Sequence, residues 1–127
     1  RARPFVFSTA MPPAACAAAI AALDIVRDEP WRREQLLVRA EQLRSTLTEQ
    51  GWDIGRSASQ IIPIIVGQPD RATRLSAQLR SACFYVRAIR PPTVPDGAAC
   101  LRVSLTSGHT EEDIRGLIAA LSRLRDR

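Results

Sequence analysis

The chain has 127 residues, 46% of them hydrophobic and 24% charged, which suits one soluble globular domain with a single core. Its net charge is +5, and all 18 basic residues are Arg; with Lys absent, the chain cannot itself form a lysine Schiff base. The arginines are scattered rather than gathered on a face with aromatics, so no nucleic acid is expected, and no apolar run is long enough to cross a membrane.

Cys16, Cys83 and Cys100 make no CxxC pair and the chain has one His, so no metal centre is expected. The odd cysteine count points to a reducing compartment. Each thiol is expected to be a small buried hydrophobe.

In chain order, residues 1–11 read as an arm in which Phe5 and Phe7 alternate with polar or small residues. Pro12 and Pro13 then open a helix over about Pro13 to Asp28. It is apolar nearly all round (Ala14, Ala18, Ala22, Leu23, Val26) and is expected to be buried, much of its cover coming from outside this chain. Glu29-Pro30 breaks it. A second helix over about Trp31 to Gln50 places Leu36, Ala40, Leu43 and Leu47 on one stripe, and Gly51 stops it. Trp52 to Ile54 is a candidate short strand. The β-branched run Gln60 to Val66 predicts a strand, and Pro63 inside it argues for an edge position or a bulge.

A third helix is expected over about Asp70 to Ala82, with Ala72, Leu75, Leu79 and Ala82 inward. Phe84 to Ile89 predicts a strand. The loop that follows holds Pro91, Pro92 and Pro95 and has few conformations to lose. In the strand from Leu101 to Thr106, Leu101, Val103 and Leu105 face one way and Arg102, Ser104 and Thr106 the other. Thr110 and Asp113 then form a capping-box-like start to a helix reaching about Leu124. This order predicts an α/β two-layer sandwich, a small, mostly antiparallel sheet with helices on one face.

Ala-Ile-Arg-Pro-Pro-Thr-Val-Pro (Ala88 to Pro95), Leu-Arg-Val-Ser-Leu-Thr (Leu101 to Thr106) and His109-Thr110 closely resemble the C-terminal domain of the 8-amino-7-oxononanoate synthases. These are α-oxoamine synthases, PLP-dependent enzymes of the aminotransferase fold type I. Phe-Ser-Thr-Ala-Met-Pro-Pro (Phe7 to Pro13) resembles the segment leading into that domain. Ser59 to Gly67 resembles its central strand. The likeness covers essentially the whole chain, in order. Glycine C-acetyltransferases and aminolevulinate synthases share the Pro-Pro opening and the Leu/Ile-Arg strand but usually lack this form of the loop. They remain alternatives, as does a non-catalytic interaction domain.

The resemblance implies residues 1–12 as a connecting arm from a PLP-binding large domain absent from this chain, and 13–127 as the C-terminal small domain. It implies pyridoxal 5′-phosphate as cofactor, bound mainly by that large domain. The reaction implied is decarboxylative condensation of L-alanine with pimeloyl-CoA or a pimeloyl carrier protein, by a cytoplasmic homodimer with its active site at the subunit interface. The lysine that holds PLP lies upstream in the family, so this chain alone is expected to be inactive.

The resemblance further implies that Arg102 grips the amino acid's α-carboxylate; an internal salt bridge is the alternative. Thr93 matches a substrate-contacting threonine, or bonds its own backbone as a turn residue. Arg90 reaches the thioester's acidic groups or braces the loop. Ser8 and Thr9 match hydroxyls that approach the PLP phosphate from the neighbouring subunit, or cap the first helix. His109 is expected to be structural rather than a proton carrier. Two departures stand out: Cys100 where relatives often have Arg, and Cys83 where Gly is common.

Overall fold

The computed structural model describes residues 11–125. They fall into two compact units, one ending at Trp31 and one beginning at Arg32.

The first unit holds helix α1, Pro13–Asp28. Pro13 starts it, and the Pro12 carbonyl accepts from the amides of Ala15 and Cys16 at 2.9 and 3.2 Å, so the missing proline N–H costs the helix nothing. Arg27 pairs with Asp24 and Asp28 in its last turns. Within this chain no residue of α1 is buried, and Ile20, Leu23, Ile25 and Val26 are exposed, so any cover for the helix would have to come from outside it. The apolar pattern is real; within the described residues nothing covers it.

The second unit contains the sheet. Helix α2 (Trp31–Glu49) is followed by β1 (Ile61–Gly67), α3 (Pro69–Ser81), β2 (Arg87–Ile89), β3 (Ala99–Ser104) and α4 (Glu111–Arg125). The strands are antiparallel in the order β1-β3-β2, so among the described residues β1 is an edge. That position tolerates Pro63, which has no amide to donate. The register also shifts between Ile65 and Gly67.

Alternation sorts the faces. Ile62, Ile64, Val66, Ala99, Leu101 and Val103 are buried in one cluster with Ala40, Leu43 and Leu47 of α2, Ala72, Leu75 and Leu79 of α3, and Ile114, Leu117 and Leu121 of α4. This is the two-layer architecture with helices on one side of the sheet. Arg44, on the same stripe of α2 as Ala40 and Leu47, is buried as well. It pairs with Glu41 and donates to the Ser59 carbonyl at 2.5 Å, tying α2 to the segment that enters β1.

Two helix ends share one geometry. After α2, Gly51 has φ +74°, its amide donates to the Thr48 carbonyl, and the Trp52 amide donates to the Leu47 carbonyl. After α3, Cys83 has φ +66°, with the Cys83 amide on the Arg80 carbonyl and the Phe84 amide on the Leu79 carbonyl. Both are Schellman caps. The second shortens the strand expected over Phe84 to Ile89. The Phe84 amide is committed to the end of α3, and the Val86 carbonyl accepts from the Ser76 hydroxyl at 2.6 Å, so the ladder begins only at Arg87. Residues 52–54 form no strand; a single bridge joins Asp53 to Ile65. Ala82, placed inward by its spacing, is exposed beyond the end of α3.

The cysteines divide. Cys100 is buried, whereas Cys16 and Cys83 are exposed. The expectation of three buried thiols therefore fails at two positions. Cys16 lies on the uncovered α1, and Cys83 occupies the outward-turned cap position.

Candidate functional site: an arginine-bearing sheet face and its proline loop

The face of the sheet opposite the core has no helix over it within the second unit. Its central strand, β3, presents Cys100, Arg102 and Ser104 there. The register places Arg102 between Pro63 of β1 and Arg87 of β2, and Cys100 between Ile65 and Ile89. Leu101, Val103 and Leu105 are buried while Arg102, Ser104 and Thr106 are exposed, the division that strand alternation predicts.

Among the described residues, no acid neutralises Arg102. Arg27, Arg44 and Arg115 make ion pairs with carboxylates; among the described residues none pairs with Arg102. The internal salt bridge considered from sequence is not seen among the described residues. Instead its cross-strand neighbour is a second arginine, Arg87. Two like charges directly opposite on adjacent strands oppose folding. Cys100 is buried beside them, and burial pushes its thiol pKa up while the charge of Arg102 acts in the opposite direction.

The loop from Arg90 to Ala98 joins β2 to β3 and so leads directly into Arg102. It is held by its own backbone: the Thr93 amide donates to the Arg90 carbonyl at 3.0 Å, and the Ala98 amide to the Pro95 carbonyl at 3.1 Å. The Pro91–Pro92 bond is cis. Gly97, at φ +80°, lets the chain turn back into β3. Thr93 and Arg90 are exposed. The Thr93 turn bond uses its amide, which leaves its hydroxyl with no partner among the described residues.

His109 is engaged in structure. Its Nδ1 accepts from the Thr106 amide at 2.9 Å, and its backbone carbonyl receives Arg39 at 3.1 Å. Together these fix the turn between β3 and α4, in keeping with a structural role. Asp113 closes the capping box: it accepts from the Thr110 amide at 2.7 Å and hydroxyl at 2.8 Å, and its own amide donates to the Thr110 hydroxyl at 3.2 Å.

The structure thus brings Arg102, Arg90 and Thr93 to one strand-loop-strand segment. Ser8 and Thr9 lie outside the described residues. Arg87 was not singled out from sequence, although its signal was there. It has the same parity as Ile89 in β2, and a hairpin register would have set it opposite Arg102.

A family model described as aminotransferase class I and II matches residues 1–121. The chain belongs to that family. It is 49% identical over 124 residues to an 8-amino-7-oxononanoate synthase of Anaeromyxobacter dehalogenans, covering 98% of this chain and 31% of that relative. The fold is also that of a serine palmitoyltransferase variant from S. paucimobilis, solved with a PLP–myriocin aldimine. That likeness has a TM-score of 0.88 at 25% identity and covers 98% of this chain and 32% of that one. An 8-amino-7-oxononanoate synthase from Francisella tularensis matches with a TM-score of 0.81 at 25% identity, over 98% of this chain and 36% of that one. The chain therefore spans about a third of the length of these relatives, and it carries the small-domain fold of PLP-dependent fold type I enzymes.

Proposed function

We propose that this chain acts as the C-terminal, substrate-binding portion of an 8-amino-7-oxononanoate synthase, which condenses L-alanine with a pimeloyl thioester and releases CO2. The observation that carries the reading is Arg102. It is an exposed guanidinium in the middle strand of an uncovered sheet face, with no carboxylate partner among the described residues, in a chain 49% identical to such enzymes. A free fork of this kind fits an external carboxylate, which it grips with two parallel charge-assisted hydrogen bonds.

The cofactor of such an enzyme, PLP, accepts the electrons released at the amino acid's Cα. The residues present fit only part of its surroundings. With no Lys, this chain cannot hold the aldehyde, and its contribution to the phosphate would come from the hydroxyls of Ser8 and Thr9. The main PLP site belongs to the upstream portion that the relatives possess. Residues 1–12 then serve as the connecting arm and 13–127 as the small domain, in a homodimer whose active site lies between subunits.

Within that arrangement, Arg102 would bind the α-carboxylate of L-alanine and so orient its Cα for the chemistry the cofactor would supply. The Thr93 hydroxyl contacts substrate from the proline loop, which loses little entropy on ordering. Arg90, at the loop's first residue, meets the acidic groups of the thioester substrate. Water is excluded as the loop and the uncovered sheet face are closed over by the upstream portion.

The test is steady-state kinetics of the full-length enzyme carrying Arg102→Ala. Loss of two charge-assisted hydrogen bonds predicts a rise of about 100-fold in the KM for L-alanine, with a much smaller change for the thioester. Unchanged alanine kinetics would remove Arg102 from the site. Glycine outperforming alanine as amino donor would shift the reading to another α-oxoamine synthase.

A further inference from the structure

Beside the carboxylate-facing arginine lies a second basic feature. A groove of about 190 Å³ runs between α3 and the edge strand β2, lined by Thr73, Ser76, Arg80, Tyr85, Arg87 and Arg90 together with Val86 and Ala88. Three arginines, from two elements and a loop, line it, and the lining holds no carboxylate. None of the three forms an ion pair with an acid among the described residues. Arg80 is steadied by the Tyr85 ring, whose centre lies 5.0 Å from its guanidinium carbon, a cation–π contact that leaves its N–H groups to point elsewhere.

Two of its three hydroxyls are committed: Thr73 donates to the Pro69 carbonyl at 3.0 Å and Ser76 to the Val86 carbonyl at 2.6 Å. The charged donors of the groove are its guanidinium N–H groups. Gathering three such charges without a counterion costs folding energy and returns nothing to the fold. The set suits an anion with several acceptor oxygens. A single carboxylate occupies one arginine fork; a phosphate can engage several.

We infer that the groove between α3 and β2 binds a phosphate ester, namely the phosphate of the phosphopantetheine arm that carries the acyl thioester. This deepens the synthase reading and rests on it for the identity of the ligand. Placement supports it. Arg87 lines the groove and is also the cross-strand partner of Arg102, and Arg90 opens the loop that bears Thr93. The groove thus adjoins the proposed carboxylate site at the sheet edge, and a carrier anchored there by its phosphate extends its thioester toward the amino acid. Coenzyme A and a carrier protein share this phosphate.

The experiment follows the arginine Nε–H resonances of the full 127-residue chain by two-dimensional NMR. Inorganic phosphate, 4′-phosphopantetheine, coenzyme A and a holo carrier protein are titrated separately at low and high salt. Expected are saturable shifts of Arg80, Arg87 and Arg90, weakened by salt, and a Kd at least about 10-fold higher in the Arg80→Gln/Arg87→Gln double variant. Arg115→Gln, which alters a remote pair with Glu111, leaves the Kd unchanged. Binding of coenzyme A but not the carrier protein, or the converse, assigns the source and supports the site either way.

Shifts confined to other arginines, or equal Kd values in a double variant whose amide spectrum is otherwise native, overturn the proposal. The wild-type map decides the matter even if the double variant does not fold. The two readings fail separately. A full-length enzyme that does not condense L-alanine with a pimeloyl thioester, in a protein whose groove arginines still respond to phosphopantetheine, sinks the synthase and keeps the site. An active synthase whose groove arginines ignore every phosphate does the reverse.

Discussion

Arg102 gains its position from the strand on either side of it. Leu101 and Val103 are anchored in the core at 0% and 4% exposure, so the alternation of β3 forces the residue between them outward. The side chain is aimed by packing rather than by a polar partner, which leaves the guanidinium free for a ligand. Shape matters here as well as charge. Arg102→Lys keeps the charge but removes the planar fork, and in the full-length enzyme it should retain the fold while still raising the KM for L-alanine, by about 10-fold. Wild-type kinetics in that variant would mean that charge alone suffices. Cys83 shows the converse, a residue whose identity works against its conformation. Its φ of +66° is one that side chains with a Cβ adopt at a cost, and its cap bonds match those at Gly51. Cys83→Gly should therefore stabilise the chain by about 0.5–1 kcal/mol, relief of left-handed strain outweighing the extra freedom of glycine in the unfolded state. Urea unfolding checks this, and a lower midpoint would count against it.

At the scale of elements, α4 is set by its first turn. Glu111, Glu112 and Asp113 lie where the helix N-terminus favours negative charge, and Thr110 with Asp113 closes the box. The Thr110 amide and then its hydroxyl hold the Asp113 carboxyl below the usual carboxylate range, with the electrostatic effect of nearby His109 acting in the same direction. A depressed folded-state pKa means stability that is complete above the unfolded value near 3.8 and lost as pH falls through the lower folded value. Asp113→Asn should thus flatten the acid limb of a stability-versus-pH curve below about pH 4 while leaving its neutral shape unchanged; an undiminished acid limb would refute the assignment. This element was legible in advance because capping is local: Thr110 and Asp113 are three residues apart. The same holds for the inward stripes of α2 and α3 and for the alternation around Arg102. The start of β2 was not legible. Phe84 to Val86 have strand-like side chains, but their backbone groups are taken by the end of α3 and by Ser76, partners that no period-2 pattern encodes. Arg44 shares the buried stripe of α2 with Ala40 and Leu47, but the partner that lets its charge be buried, the Ser59 carbonyl, lies fifteen residues away. The Arg80–Arg87–Arg90 groove is tertiary too, for it exists only once α3 lies along β2.

For the whole molecule, the distribution of apolar surface bears on what the chain can do alone. The second unit closes its own core. Seven large side chains there, among them Leu43, Ile62, Leu101 and Leu121, are fully buried, so the sheet face that bears Arg102 should form without help. The first unit is different: α1 has an apolar surface and no buried residue, and a helix of that composition gains little stability until something covers it. The matched relatives are about three times longer than this chain, and the absence of Lys means that no residue here can hold PLP through its aldehyde. These observations converge on one expectation. Incubated with PLP, L-alanine and a pimeloyl thioester, the chain alone should yield no 8-amino-7-oxononanoate and no lysine-type cofactor absorbance. When a lysine-bearing upstream portion from a relative is added, α1 should become protected from amide exchange. Activity, if it returns, should then depend on Arg102 from this chain. Product formed by the chain alone would show that the chemistry does not need the missing lysine. Protection of α1 without any added portion would show instead that a second copy covers it, and would place the dimer contact on this helix.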